Sequence, residues 1–500
     1  MSAKGRSGIL VPLLLLSFMA LFLRLPHIGD RPMHNDEACQ AVKFGQLLDS
    51  GYYQYDPTDH HGPTLYYLTL PVAWINGAGN SIALDETTLR LVPLLFALGS
   101  ILLIGLLRDS ASSVTLLLAA VFALSSPALT YFSRYYIQET SFVFFTMLLV
   151  TAGWRYACAG RTGWAALGGL AAGCLLATKE TAVLVFLAAA AALAAVAMLR
   201  RDECAAFFRD RFRWGHLTWA AVSAGAILLV FFSSFFTHPR GVLDAVTAFV
   251  QFADRAKGSG HEKGFIYYLH LLTWQKTGGF WWGEGALFMP SLAGAWIAWR
   301  CPSNTLIRLA STHALALLLV YSLIPYKTPW LMLGVIQLAT LPAAFAFTEA
   351  WRRFPSVAAR IALLVLLAAG LGSLWRQNAL ANGRFAADER NPWVYSHTSR
   401  DCLNGVKVIR EALARSPGGT SHTLVKVMSH EYWPLPWYLR DCGQIGYWTS
   451  LPDDPIAPIM VVSADEAPAL ERKLAGSGSY TTHVFGLRPG VILTAYIRQP

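Results

Sequence analysis

Residues 9–38 read ILVPLLLLSFMALFLRLPHIGDRPMHNDEA, and the order of their parts decides the class of the chain. An apolar run over 9–25, interrupted only by Arg24 near its end, is followed by Pro26 and then by the polar string His34-Asn35-Asp36-Glu37. An apolar run close to the ~20 residues that cross a bilayer core reads as a spanning helix. The acidic pair that follows therefore lies at headgroup depth, where unpaired charge is costly. A cleaved signal peptide fits less well, because the run is long and no small-x-small site follows it.

Working outward, ten further runs have spanning character, at 88–107, 114–132, 139–157, 164–178, 181–199, 217–236, 285–299, 309–324, 330–350 and 361–375. A shorter run at 64–75 is better suited to lie at the interface than to cross. Composition agrees: charged residues are 14% of the 500, below the roughly 25% of soluble domains, and apolar residues are 54%. With the N-terminus cytoplasmic, the inner connections hold Lys4 and Arg6, Arg108, Arg155 and Arg161, Arg200, Arg201, Arg209, Arg211 and Arg213, Arg300 and Arg308, and Arg352, Arg353 and Arg360. Every inner connection is basic, as the positive-inside rule asks, and counting 64–75 as a span would break the alternation. The net charge of +10 thus reflects topology and gives no reason to invoke nucleic acid.

The reading is an all-α polytopic membrane domain of about eleven spans over 1–375, with a long outer loop at 26–87, followed by a small α/β domain outside the membrane over 376–500. The tail alternates a helical pattern at 402–415, strand-like runs at 423–429 and 459–463, a short helix at 467–474, and strand-like runs at 480–487 and 491–497. Cys402 and Cys442 lie in this tail, either as a disulfide or as two buried thiols. The expected location is the cytoplasmic membrane, with the functional polar residues and the tail on the outer side.

The chemistry concentrates in the first outer loop. Asn35 before an amphipathic pattern suits an N-cap, with Asp36 and Glu37 favourably placed at the positive helix end. The alternative is a carboxylate pair at a membrane-surface site. Farther on, Tyr55-Asp56-Pro57-Thr58-Asp59-His60-His61-Gly62-Pro63 returns acids and imidazoles to the interface. His60 and His61 are candidates for a lipid phosphate or for half of a divalent-metal site, which usually needs three protein ligands. Arg134 with Glu139, Lys179 beside Glu180, and Lys327 place further charges on outer connections, where they serve either as helix-end anchors or as a phosphate site. Trp281 and Trp282 suit an interfacial aromatic belt better than a carbohydrate platform. Trp433, Trp437 and Tyr438 suit packing of the tail onto the membrane part.

Four ordered strings, with Arg90 opening the second span, carry a resemblance. They are His34-Asn35-Asp36-Glu37-Ala38, Tyr55-Asp56-Pro57 through Pro63, Thr178-Lys179-Glu180-Thr181, and Glu431-Tyr432-Trp433-Pro434-Leu435-Pro436-Trp437-Tyr438-Leu439-Arg440-Asp441. Over nearly its whole length the chain resembles the GT-C glycosyltransferase superfamily, which includes protein O-mannosyltransferases and aminoarabinose transferases. It is most similar to a subfamily labelled flippase-activity-associated proteins of prokaryotic glycan clusters. The aminoarabinose-type pattern carries a lysine before a double proline where this chain has His60-His61-Gly62-Pro63, so the resemblance names no particular sugar.

The resemblance implies inverting transfer of a sugar from a polyprenyl-phosphate donor to a glycan, lipid or protein acceptor at the outer face. Asp36 is then the expected base, with Glu37 second or orienting, and Glu139 is the acid expected to hold the acceptor. His60, His61, Arg134, Lys179 and Lys327 are the candidates for the donor phosphate. No cofactor is required, because lysine or arginine can stabilise the departing phosphate, although a divalent metal remains an alternative. Two other classes are a flippase for lipid-linked glycans, which should carry charge or broken helices at mid-membrane, and a non-catalytic scaffold, which would tolerate Asp36→Asn.

Overall fold

The computed structural model of the chain describes residues 8–58, 61–255, 262–300 and 304–499. Among the described residues, seven helices are long and apolar enough to cross a membrane: Glu86–Leu107, Glu139–Ala159, Ala182–Leu199, Trp214–Phe232, Thr305–Leu323, Pro329–Arg353 and Val357–Asn382. The other four expected spans are the shorter helices Leu10–Arg24, Ser113–Ser125, Thr162–Thr178 and Gly285–Arg300. The shorter run expected to lie at the interface forms the twelve-residue helix Thr64–Ile75.

Small residues set the helix packing. A Cβ on Gly169 would meet the Ala220 carbonyl oxygen at 2.0 Å, and one on Gly173 would meet that of Ala224 at 2.7 Å. Helices Thr162–Thr178 and Trp214–Phe232 therefore pack backbone to backbone, as small-xxx-small pairs allow. Gly294 lies equally close to the Pro342 carbonyl, at 1.8 Å from the same test position.

The expected span at 114–132 is not continuous. It stops at Ser125 and restarts as the short helix Pro127–Phe132. Proline biases its predecessor away from helical backbone, and Ser126 has ψ 121°. Proline also lacks the N–H that would bond the carbonyl four residues back. That carbonyl, Ala123 O, instead accepts from Arg24 Nη2 at 3.2 Å. The Ala128 N–H is taken by buried Glu284, whose Oε1 also accepts from Ser126 Oγ. The arginine that interrupts the first apolar run and the proline that breaks the third thus answer each other.

Among the described helices of eight or more residues, two were not anticipated: the amphipathic Gly241–Arg255 in the second outer region, and Arg201–Asp210 at the opposite end of the bundle. A short hairpin, β1 (Gln275–Thr277) and β2 (Phe280–Trp282), buries Trp282 against Phe385 and leaves Trp281 exposed. The tail carries β3 (Val425–Met428), β4 (Ile445–Trp448), β5 (Ile459–Ser463), β6 (Tyr480–Arg488) and β7 (Val491–Arg498) in the order β4-β3-β5-β7-β6. β3 runs parallel to β4 and β5, while β7 runs antiparallel to β5 and β6. Helix Arg400–Arg415 covers the sheet with Val406, Ile409 and Leu413. β4 escapes sequence reading because it is a four-residue edge strand with Gly446 inside it. Cys402 and Cys442 are two separate buried thiols.

The tail docks on the first outer loop through the Trp433–Asp441 string. Tyr438 Oη accepts from Met33 N at 2.7 Å, Trp437 Nε1 donates to Glu86 at 2.8 Å, and Arg440 Nη2 donates to Leu84 O at 2.6 Å. Trp437 joins Met33, Ala38, Phe44 and Tyr136 in one buried cluster. These are the packing contacts read from the spacing of those aromatics.

Candidate active site

The site forms where five connections meet at one end of the bundle. Helix Asn35–Ser50 begins with His34 as its N-cap, one residue earlier than expected. His34 Nδ1 accepts from Asp36 N at 3.0 Å, and the ring's Nε2 donates to Tyr395 O at 2.9 Å, which sets the neutral tautomer. The capping box is completed by Glu37, which accepts from His34 N at 3.0 Å.

Glu37 has no exposed surface, and its carboxylate is held from several sides. Arg90 Nε and Nη2 bind its two oxygens at 2.8 and 2.9 Å, Tyr136 N donates at 2.8 Å, and Arg31 lies at 3.6 Å. Burial alone would raise this carboxyl, but Arg90, Arg31 and the hydrogen bonds outweigh it and bring it down to about 2. Arg90 Nη1 also binds the carbonyls of Ile28 and Arg31, so the pair fastens the start of the outer loop to the second span. Both Glu37 oxygens are thus taken up by hydrogen bonds within the protein.

Asp36 is its opposite. Neighbours on a helix point about 100° apart, and where Glu37 is enclosed, 43% of the Asp36 side chain is exposed. The phenol of Tyr326 is raised by burial, opposed by Lys179, and raised further by Asp36 and Glu139. Tyr395 is pushed up to about 12 by burial, Tyr326, Asp36 and Glu262. Arg488 is lowered by burial against the opposing pull of Asp36. These side chains share one electrostatic neighbourhood around Asp36, drawn from the first outer loop, two later turns and the tail sheet. Tyr326, Tyr395 and Arg488 are missed by sequence reading. Arg488 sits at the end of β6, where it pairs with Glu431.

The buried pair Lys179–Glu139 flanks this neighbourhood, with Nζ 2.5 Å from Oε1. Burial would lower the Lys179 ammonium, yet Glu139 first and then Tyr326 and Glu180 raise it, so it stays charged. Glu180 is held below the usual carboxylate range because His61, at 2.7 Å from Oε2, outweighs its burial. Gly62 makes this contact available: a Cβ there would lie 2.1 Å from the Ala177 carbonyl oxygen. Lys179 and Glu180, adjacent in sequence, thus form two separate pairs, each reaching a different segment.

The remaining candidates are placed differently. Arg134 is buried, donates to Pro26 O at 2.7 Å, and is lowered to about 10 by burial and by Arg31 and Arg90. Its side chain thus ties the 133–138 connection to the backbone that follows the first helix. Lys327 is buried within its own turn, donating to Ile324 O with Tyr268 at 5.9 Å. Its neighbour Tyr326, and not Lys327, shares the field of Asp36. His60 lies outside the described residues. Among the described residues no three His, Cys, Asp or Glu side chains form a metal-holding group.

No family model matches this sequence, and no curated protein matches it. Solved structures do. ArnT from Cupriavidus metallidurans bound to undecaprenyl phosphate superposes with a TM-score of 0.63 at 15% identity, over 96% of this chain and 97% of that one. The Archaeoglobus fulgidus oligosaccharyltransferase tethered with an acceptor peptide superposes with a TM-score of 0.59 at 12% identity, over 98% of this chain and 74% of that one. The chain has the GT-C fold that the ordered strings imply.

Proposed function

We propose, from the GT-C fold that this chain shares, that it transfers a sugar from a polyprenyl-phosphate donor to an acceptor at the membrane surface, with inversion. The observation that carries this reading is the contrast within the acidic pair. Glu37 is locked by Arg90, while Asp36 is left part-exposed beside Lys179–Glu139, Tyr326, Tyr395 and Arg488. The undecaprenyl phosphate held by the structurally similar ArnT supports a donor of that class.

In this reading Asp36 takes the proton from the acceptor's nucleophilic group as that group attacks the anomeric carbon. The bond from that carbon to the phosphate oxygen breaks, and polyprenyl phosphate leaves with its electron pair. Lys179, kept charged by Glu139, stabilises the phosphate, and Arg488 and Tyr326 close the same side. Glu37 holds the helix end that aims Asp36. His61 shapes the loop through Glu180.

The test is sugar transfer in membranes from labelled polyprenyl-phosphate sugars, comparing the wild type with Asp36→Asn at matched expression. Transfer should fall by about 10²–10⁴-fold, the usual contribution of a general base. Equal transfer by both would remove Asp36 from the chemistry. Translocation of a lipid-linked glycan by a wild type that transfers nothing would replace the transferase with the flippase.

A further inference from the structure

At the end of the bundle away from Asp36 lies a cavity of about 700 Å³, within the roughly 300–1,000 Å³ of ligand-sized pockets. It opens between helices Glu139–Ala159, Ala182–Leu199 and Thr305–Leu323, and Arg201–Asp210 closes its floor. Along the first helix its wall runs from Leu149 to Cys158. At a rise of about 1.5 Å per residue that depth is about 15 Å, half of a ~30 Å hydrocarbon core, or one leaflet. Leu193 and Phe208 line it and are 60% and 62% exposed, so its lip lies on the lipid-facing surface.

The lining is apolar at depth apart from His313, and its arginines and its one carboxylate stand at one edge. Arg200, Glu203 and Arg211 stand where the helices leave the membrane, with Arg200 3.1 Å from Glu203 and Arg211 anchored on Ala157 O at 2.7 Å. An amphiphile one leaflet long with an anionic head matches both ends. The donor site is separated from this cavity. The space beneath Lys179 and Glu139 is a distinct pocket of about 20 Å³, and His313 Nε2 donates to Val185 O at 3.2 Å between the two.

We propose that this cavity holds one glycerophospholipid of the leaflet opposite the active site, its acyl chains between the three helices and its phosphodiester between Arg200 and Arg211. Arginine suits this role because its fork binds phosphate oxygens in pairs. The site is independent of the sugar-transfer reading and is tested without it.

Gly153 supplies the probe. It lines the cavity, and a Cβ there meets nothing within 4 Å, so Gly153→Leu starts its side chain in open space. The full chain, purified in mild detergent and mixed with dioleoyl-phosphatidylglycerol, is examined by native mass spectrometry. The wild type should retain one lipid per chain through delipidation. Gly153→Leu should lower that retention by about tenfold, as should Arg200→Gln with Arg211→Gln. Arg360→Gln, on a different surface, should leave it unchanged. Unaltered retention in both the filled variant and the arginine variant would overturn the proposal. So would a wild type that retains no phospholipid, or only an adduct with the mass of a polyprenyl phosphate.

Discussion

Glu37→Gln separates the two acids of the pair most sharply. The substitution keeps the shape of the side chain and removes its charge, leaving Arg90 and Arg31 buried without a counter-ion. The fall of the Glu37 carboxyl from 4.5 to about 2 corresponds, at about 1.4 kcal/mol per pH unit, to about 3 kcal/mol of folded-state stabilisation. Removing one partner of a buried ion pair costs about 3–5 kcal/mol, so the two routes agree. A carboxyl whose folded value is depressed contributes stability that is present above its unfolded value and lost as pH falls. The wild-type advantage should therefore be full above about pH 4.5 and fade as pH falls towards 2. Unfolding in detergent micelles, followed by tryptophan fluorescence over that range, measures it. Wild type and Glu37→Gln unfolding within about 1 kcal/mol of each other at pH 7 would refute the fastening role of the pair. So would an advantage that grew as pH fell.

Three further substitutions follow from the same geometry. Gly62→Ala should displace the loop from the Ala177 carbonyl and separate His61 from Glu180, at about 1–3 kcal/mol measured by thermal unfolding. Glu284 is pushed up to about 7 by burial, opposed by Ser126 and Ala128, so its contribution is present below about pH 4.5 and lost as pH rises through 7. Glu284→Gln retains an acceptor for Ser126 and Ala128, and relative to wild type should gain up to about 3 kcal/mol between pH 5 and 8 in unfolding titrations. Lys179→Met leaves Glu139 buried without its cation and should lower both stability, by about 3 kcal/mol or more, and sugar transfer, whereas Asp36→Asn should lower transfer with stability within about 0.5 kcal/mol.

The long apolar helices, the short helix Thr64–Ile75 and most of the tail's strands are legible in the chain because hydropathy and its period are local properties. The break at Ser126 was also written there, in Pro127, but a proline within an apolar run marks either a kink or a stop. What made it a stop was Arg24 and Glu284 taking up the polar groups on either side. The acids, histidines and lysines of these connections stand out in the chain as a set expected on one side of the membrane, since charge and hydropathy are both read along the chain. Their division into roles was not. Asp36 and Glu37 are neighbours with the same chemistry, and only the arrival of Arg90, 53 residues on, and of Tyr136, 99 residues on, buries one and leaves the other open. Arg488, on the last hairpin, comes near Asp36 only once the tail has docked through Trp437 and Arg440. Membrane crossing depends on the solvation of each segment by itself, so composition decides it. The protonation and partner of a buried carboxylate depend on which distant groups share its enclosure, and only the packed structure sets that.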